Sequence, residues 1–340
     1  MRARTHLTRP YLFTVIALLS LLLIFSFAIA LLFGSESLAW RASVAAFVNR
    51  LSGRPTGLSV EVETILFTVR LPRALFALAA GAALSVAGAA LQALLRNPLA
   101  EPYVLGVSSG AAVGAVLAIV FAETFPLSQP LGAFAGAAVT IFTVYILGQG
   151  ASGTSTDRLI LAGVITTSFL WAAIIFILTV ASTSRLRGIA FWLMGDLSGG
   201  TTTLLTFTLI TTSVVIALIY SMARTLNLLM VGEESALSLG VNVERVKLAL
   251  YLLASLLTGT TVAVVGSIGY IGLIVPHIIR MAWSSDHRLL IPAAALMGAS
   301  LLLLADTLAR ILIAPRELPV GAITALIGAP LFVYLLRRTV

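Results

Sequence analysis

Few side chains in this sequence are equipped for chemistry, and their spacing rules out most of what they could do. The only lysine, Lys247, sits in ERVKLAL, whereas a phosphate-cradling loop needs Gly-Lys followed by Ser or Thr. ATP hydrolysis by this chain is excluded on that ground, so any ATP-driven step requires another polypeptide. His6, His277 and His287 are scattered without ligand spacing, and the chain has no cysteine. No metal or cofactor site is therefore expected, and neither a thiolate nor a disulfide is available. Asp306 and Arg310 lie one helical turn apart and read as an intrahelical ion pair. Ionisable groups are rare inside the apolar runs, which disfavours coupling to protons or sodium. The formal charge of +8 is carried by arginines spread over the loops. Nucleic-acid binding would want a basic face with interleaved aromatics, and none is visible.

The elements that must hold these residues are apolar. The 340 residues are 59% hydrophobic and 10% charged, with mean hydropathy +1.08, far from the roughly 25% charge of a soluble domain. Apolar runs fall near 11–33, 71–95, 103–122, 130–148, 159–181, 204–223, 246–265, 272–283, 289–313 and 320–336. Most approach the roughly 20 residues that cross a bilayer as a helix. The expectation is a single all-α polytopic membrane domain over 1–340 with ten transmembrane helices. The runs are continuous rather than alternating at period two, which speaks against an outer-membrane barrel. The run at 272–283 is too short to cross alone, so the glycine-rich stretch before it is expected to cover part of the depth inside the bundle. The first run, preceded by Arg2, Arg4 and Arg9, is longer than a signal peptide's apolar core and reads as a retained helix.

Placing both termini inside puts a modest excess of the basic residues on the cytoplasmic side. Two loops are long enough to have structure. Residues 34–70 are amphipathic in patches and are expected at the outer surface, with Trp40 at the interface. In RTLNLLMVGEESALSLGVNVERVK (224–247), acids open the stretch Glu233 to Leu239 and Gly240 closes it, the pattern of a short capped helix. It is either a solvated connector or a lever for a partner's groove, since Leu229, Met230, Ala236, Leu237 and Leu239 are more apolar than a solvated loop requires. In RNPLAEPYVLGVSSG (96–110), Pro98 and Pro102 end one helix and hold a loop before the next. Gly106, Gly110 and Gly114 stripe one face, and Gly132 with Gly136 repeats the spacing, which permits close backbone approach.

The stretch VRLPRALFALAAGAALSVAGAALQALLRNPLAEPYVLGVSSGAAVGA (69–115) resembles the FecCD-type permeases, membrane subunits of type II ABC importers for iron chelates, haem and cobalamin. STDRLILAG (155–163), FWLMGDLSG (191–199), GEESALSLGV (232–241), GYIGLIVPHIIR (269–280), DTLAR (306–310) and ELPVGAITALIGAPLFVYLLRR (317–338) follow in the family's order. The resemblance implies a ten-helix subunit of the type II importer fold in the bacterial cytoplasmic membrane. It further implies a homodimer with the pathway at its two-fold interface, two copies of a cytoplasmic ATPase that bind the ATP and magnesium, and one soluble substrate-binding protein. No enzyme activity belongs to such a subunit. The ATPase-coupling segment would be about 228–243, with Gly232, Glu233, Glu234, Ala236, Leu237, Leu239 and Gly240. Asn97 and Leu99 match gate-lining positions, and Ser155, Thr156 and Asp157 match a second gate loop, where Asp157 replaces what is often a hydroxyl residue. Arg70, Arg73 and Arg310 match positions that meet glutamates of the binding protein, snorkelling at helix ends being the alternative. The expected cargo is a bulky chelate, haem or a ferric siderophore, with cobalamin as the alternative. A stand-alone secondary transporter or channel is the alternative from a different class.

Overall fold

The computed structural model describes all residues except 1–7, 35, 37–38, 122–127, 151–152, 155 and 340. Ser155, expected in a second gate loop, thus lies outside the described residues. The helices are α1 (Arg9–Leu32), α2 (Trp40–Leu51), α3 (Val60–Glu63), α4 (Leu71–Leu94), α5 (Val107–Phe121), α6 (Ser128–Gly148), α7 (Thr156–Val180), α8 (Thr183–Leu193), α9 (Thr202–Ser221), α10 (Ala223–Val231), α11 (Glu233–Ser238), α12 (Val243–Val265), α13 (Ile271–Ala282), α14 (His287–Ile311) and α15 (Val320–Thr339). A two-residue antiparallel pair, Gln149–Gly150 with Gly153–Thr154, precedes α7. Each of the ten apolar runs folds as a helix. Among the described residues, seven spans are long and apolar enough to cross a membrane, while 107–121, 271–282 and 320–334 form shorter apolar helices.

The connection over 39–70 holds more regular structure than its patchy amphipathicity predicts. It contains α2, and from Val60 it runs into α4 through a π-helical stretch, Thr64–Arg70. Pro72 lacks the N–H that a regular turn would donate, and the helix widens just before it.

α4 is the axis of the bundle because its sequence, LPRALFALAAGAALSVAGAALQAL, offers small residues on every face. Its neighbours α9, α12, α13 and α14 pack directly against it, and 89% of its most apolar window is buried, against 17% for α7. Gly88 faces Gly272 of α13 so closely that a Cβ at position 88 would lie 1.9 Å from the Gly272 carbonyl oxygen. Between α5 and α6 the same device recurs where Gly114 meets Gly132 and Gly110 meets Gly136, the close crossing expected from the glycine spacing. Gly106 does not belong to that helical face. Its φ is +76°, and it ends a short 3-10 turn (Pro102–Leu105) before α5 begins.

The short helix α13 follows a non-helical stretch packed within the bundle. α12 stops at Val265, and residues 266–270 continue as non-helical backbone inside the protein until Tyr270, at φ +71°, starts α13. Pro276 lies inside α13. Unwound backbone is tolerated there because protein groups satisfy it. The Glu101 carboxylate accepts the Tyr270 N–H at 2.7 Å. Ser267 Oγ donates to the Tyr103 hydroxyl at 3.2 Å and lies 3.4 Å from Ser108 Oγ. Asp196 N–H donates to the Val265 carbonyl, and Gly321 N–H to the Met194 carbonyl. Four helix breaks therefore interlock at one level of the bundle.

Candidate functional site: coupling segment, gate turn and arginine cluster

The 223–247 segment folds as two short helices rather than one. Gly232, at φ +146°, separates α10 from α11. α11 ends in a Schellman turn: Gly240 N–H donates to the Leu237 carbonyl and Val241 N–H to the Ala236 carbonyl, with Gly240 at φ +81°. The apolar excess splits by face. Leu226, Leu229 and Ala236 are buried, whereas Met230, Val231, Leu237 and Leu239 are exposed, Leu237 and Leu239 to 58% and 66%. The inner side is anchored through Asn227, whose side chain donates to Asp286 at 2.8 Å and accepts the His287 N–H at 2.9 Å. Burial alone would raise the Asp286 carboxyl, but hydrogen bonds from Arg288 and Asn227 outweigh it and hold the group down at about 2. Glu233 opens α11 with both oxygens engaged, by Arg96 Nη2 at 3.1 Å and by Lys247 Nζ at 2.6 Å. Glu234 presents itself to solvent beside it.

The turn that carries Asn97 and Leu99 follows α4 directly. Asn97 Oδ1 accepts the Leu99 N–H at 2.9 Å, an Asx-type turn that projects Leu99 at 47% exposure. Thr156 and the exposed Asp157 form the first turn of α7. The two sets stand on separate elements. Their chains meet deeper, where Gly163 of α7 abuts the Val104 carbonyl of the 3-10 turn. Glu101 at the end of this turn has no sequence signal for its partner, Tyr270, 169 residues away. Burial pushes its carboxyl up to about 7 despite the Tyr270 hydrogen bond. The folded chain thus keeps this proton between about 4.5 and 7, where the unfolded chain releases it. Stability attributable to this group therefore falls as pH rises across that window. Glu101→Gln is expected to raise the Tm of the purified chain at pH 8 and leave it unchanged at pH 4, and an equal shift at both pH values would contradict the assignment.

Arg70, Arg73 and Arg310 converge, as their motif positions suggest, but they do not present charge outward. They are 5%, 7% and 4% exposed. Arg73 donates to Asp306 at 2.9 Å and to Glu317 at 2.6 Å. Arg310 Nε lies 3.1 Å from the other Asp306 oxygen, an ion pair without an aligned hydrogen bond, and Arg310 Nη2 donates to the Ala30 carbonyl at 2.9 Å. Arg70 donates to the Leu31 and Leu32 carbonyls at 3.0 and 2.9 Å and to that of Glu36, closing the end of α1. The Asp306–Arg310 pair expected from the sequence is present, and Arg73, 233 residues from Asp306, completes it. The physical reason for the inward turn is that three helix ends meet here and their carbonyls and carboxylates are the nearest acceptors.

An apolar bundle with an interlocked level of helix breaks and a small projecting helix is the build of a multi-pass membrane permease. The chain belongs to the FecCD transport family, whose pattern it matches over residues 22–338. It is 43% identical over 303 residues to the cobalamin import system permease protein BtuC of Halobacterium salinarum, covering 89% of this chain and 80% of that one. It is 44% identical over 281 residues to the hemin transport system permease protein HmuU of Yersinia pestis, covering 81% and 83%. A solved structure described as an inward-facing, metal-chelate type ABC transporter superposes with a TM-score of 0.82 at 34% identity, covering 96% of this chain and 99% of that one. The chain is a permease of the type II ABC importer class, a transport component rather than a catalyst.

Proposed function

We propose that this chain forms one half of a homodimeric importer, with ten membrane crossings per subunit, both termini in the cytoplasm and the pathway along the two-fold axis. Two copies of a separate ATPase drive it, and one soluble binding protein delivers cargo on the opposite side. One observation carries the ATPase assignment. α11 is held to the bundle by Ala236 and Glu233 while Leu237 and Leu239 project from it unpartnered. An apolar pair on a short anchored helix is suited to a partner's groove. Leu237→Asp with Leu239→Asp should abolish both co-purification with the ATPase and ATP-dependent uptake in proteoliposomes, while the permease stays folded. An intact complex would remove the coupling role, and uphill uptake by the permease alone would favour a secondary transporter.

Asn97, Leu99, Thr156 and Asp157 are assigned to the inner gate on their family positions, supported by the exposure of Leu99 at the turn. The cargo is a bulky metal chelate, haem or a ferric siderophore, with cobalamin as the alternative. Binding of each to the cognate binding protein separates them. For Arg70, Arg73 and Arg310, burial favours the fastening of α1, α4 and α14. An acidic partner must displace Asp306 or Glu317 to reach Arg73.

A further inference from the structure

The α4 terminus contains a residue whose backbone and side chain point to different roles. Arg96 adopts φ +46°, the left-handed region that disfavours a side chain. It sits at the αL position of a Schellman turn, since Arg96 N–H donates to the Ala93 carbonyl and Asn97 N–H to the Gln92 carbonyl. At the other Schellman turn of this end of the molecule, the equivalent position is Gly240, the residue this geometry prefers. Arginine at 96 is thus a poor local choice, and its compensation lies in what the guanidinium touches. It pairs with Glu233, the first residue of α11, across 137 residues of sequence.

Glu233 is a fork. Its second carboxylate oxygen is held by Lys247, a side chain only 10% exposed near the start of α12, and Lys247 is also 3.6 Å from Glu244. One prong therefore ties α11 to a spanning helix. The other reaches the turn that carries Asn97 and Leu99, immediately after Arg96. A plain solvated ion pair would account for the distance but not for an arginine kept in a glycine conformation.

We propose that Arg96 is a positioning residue that links the gate turn to the coupling helix, so that displacement of α11 is delivered to Asn97 and Leu99 through the Arg96–Glu233 pair. This rests on α11 being the helix the ATPase moves. The pair is partly exposed, at 45% and 29% for its side chains, so it biases the turn rather than locking it. An exposed pair of this kind corresponds to a change of up to about fivefold in a coupled equilibrium.

Arg96→Gly separates the two roles, because glycine relieves the backbone while deleting the link. The measurement uses the complete importer in proteoliposomes, reading cargo uptake and ATP hydrolysis in the same vesicles, with Tm of the permease alongside. The expected result is an intact complex, an unchanged or higher Tm, continuing ATP hydrolysis, and uptake per ATP lowered by up to about fivefold. Arg96→Lys, which keeps the charge, should retain most of the ratio. Arg96→Gly combined with Glu233→Gln should be no worse than the more affected single variant, the non-additivity of residues acting as a unit. An unchanged uptake-to-ATP ratio in Arg96→Gly would overturn the proposal, as would a lowered Tm with the ratio preserved, which would make the pair structural. If instead the Leu237→Asp and Leu239→Asp variant retains its ATPase, the coupling role of α11 fails independently of Arg96.

Discussion

Asp306→Ala is expected to destabilise the purified permease by about 3–5 kcal/mol, the cost of removing one partner from a buried ion pair. Asp306 is 1% exposed and faces two guanidinium groups, Arg73 and Arg310, which are themselves almost fully buried. Without it, Arg73 retains Glu317, but that carboxylate is 39% exposed and already engaged. Arg310 retains only the Ala30 carbonyl and Thr307. Neither is an anion, so Glu317, partly exposed, is left to offset two buried guanidinium groups. Asp306→Asn should be milder, because an amide oxygen can still accept from Arg73 Nε. Thermal or denaturant unfolding in detergent tests both, and a loss below about 1 kcal/mol for the alanine variant would mean that water reaches the cluster.

Gly88→Ala is expected to destabilise by about 3 kcal/mol, the upper part of the range for overpacking a close-packed interior. The added methyl would meet the Gly272 carbonyl oxygen at 1.9 Å, its carbon at 2.5 Å and its Cα at 2.6 Å. All three are backbone atoms, so no side chain can rotate away, and α4 and α13 must separate. Separation also strains the bond from Gln92 Nε2 to the Gly272 carbonyl, 3.2 Å long and one turn further along α4. Gly188 of α8 supplies the control. A Cβ there meets nothing within 4 Å, so Gly188→Ala should be neutral or stabilising by up to about 1 kcal/mol through helix propensity. Tm values of the two variants in one detergent decide the matter, and equal behaviour would contradict the close crossing.

The close helix crossings differ in how legible they are in the sequence. The α5–α6 crossing could be anticipated because Gly110 and Gly114 match Gly132 and Gly136 in spacing, and both segments are neighbours in sequence. Gly88 and Gly272 carry no such signal, since Gly88 sits among other small residues and the two are far apart along the chain. The same holds at α11. Acids at 233 and 234 and a glycine at 240 announce a short capped helix, and Leu237 and Leu239 announce an apolar excess. Which of the apolar residues face out is a property of the packing, and Leu229 proves to be buried while Met230 is not.

By itself the sequence determined the features that local terms control. Hydropathy over twenty-residue windows located the apolar helices, Pro98 and Gly240 marked the ends of α4 and α11, and motif order determined the family. The tertiary structure alone decided that Arg70, Arg73 and Arg310 turn inward, that Glu101 caps the start of α13, and that Arg96 holds Glu233. The reason is physical. A charged side chain takes the acceptor that the fold brings nearest, and in a bundle that acceptor comes from a helix 137 or 233 residues away, at a distance no local pattern encodes.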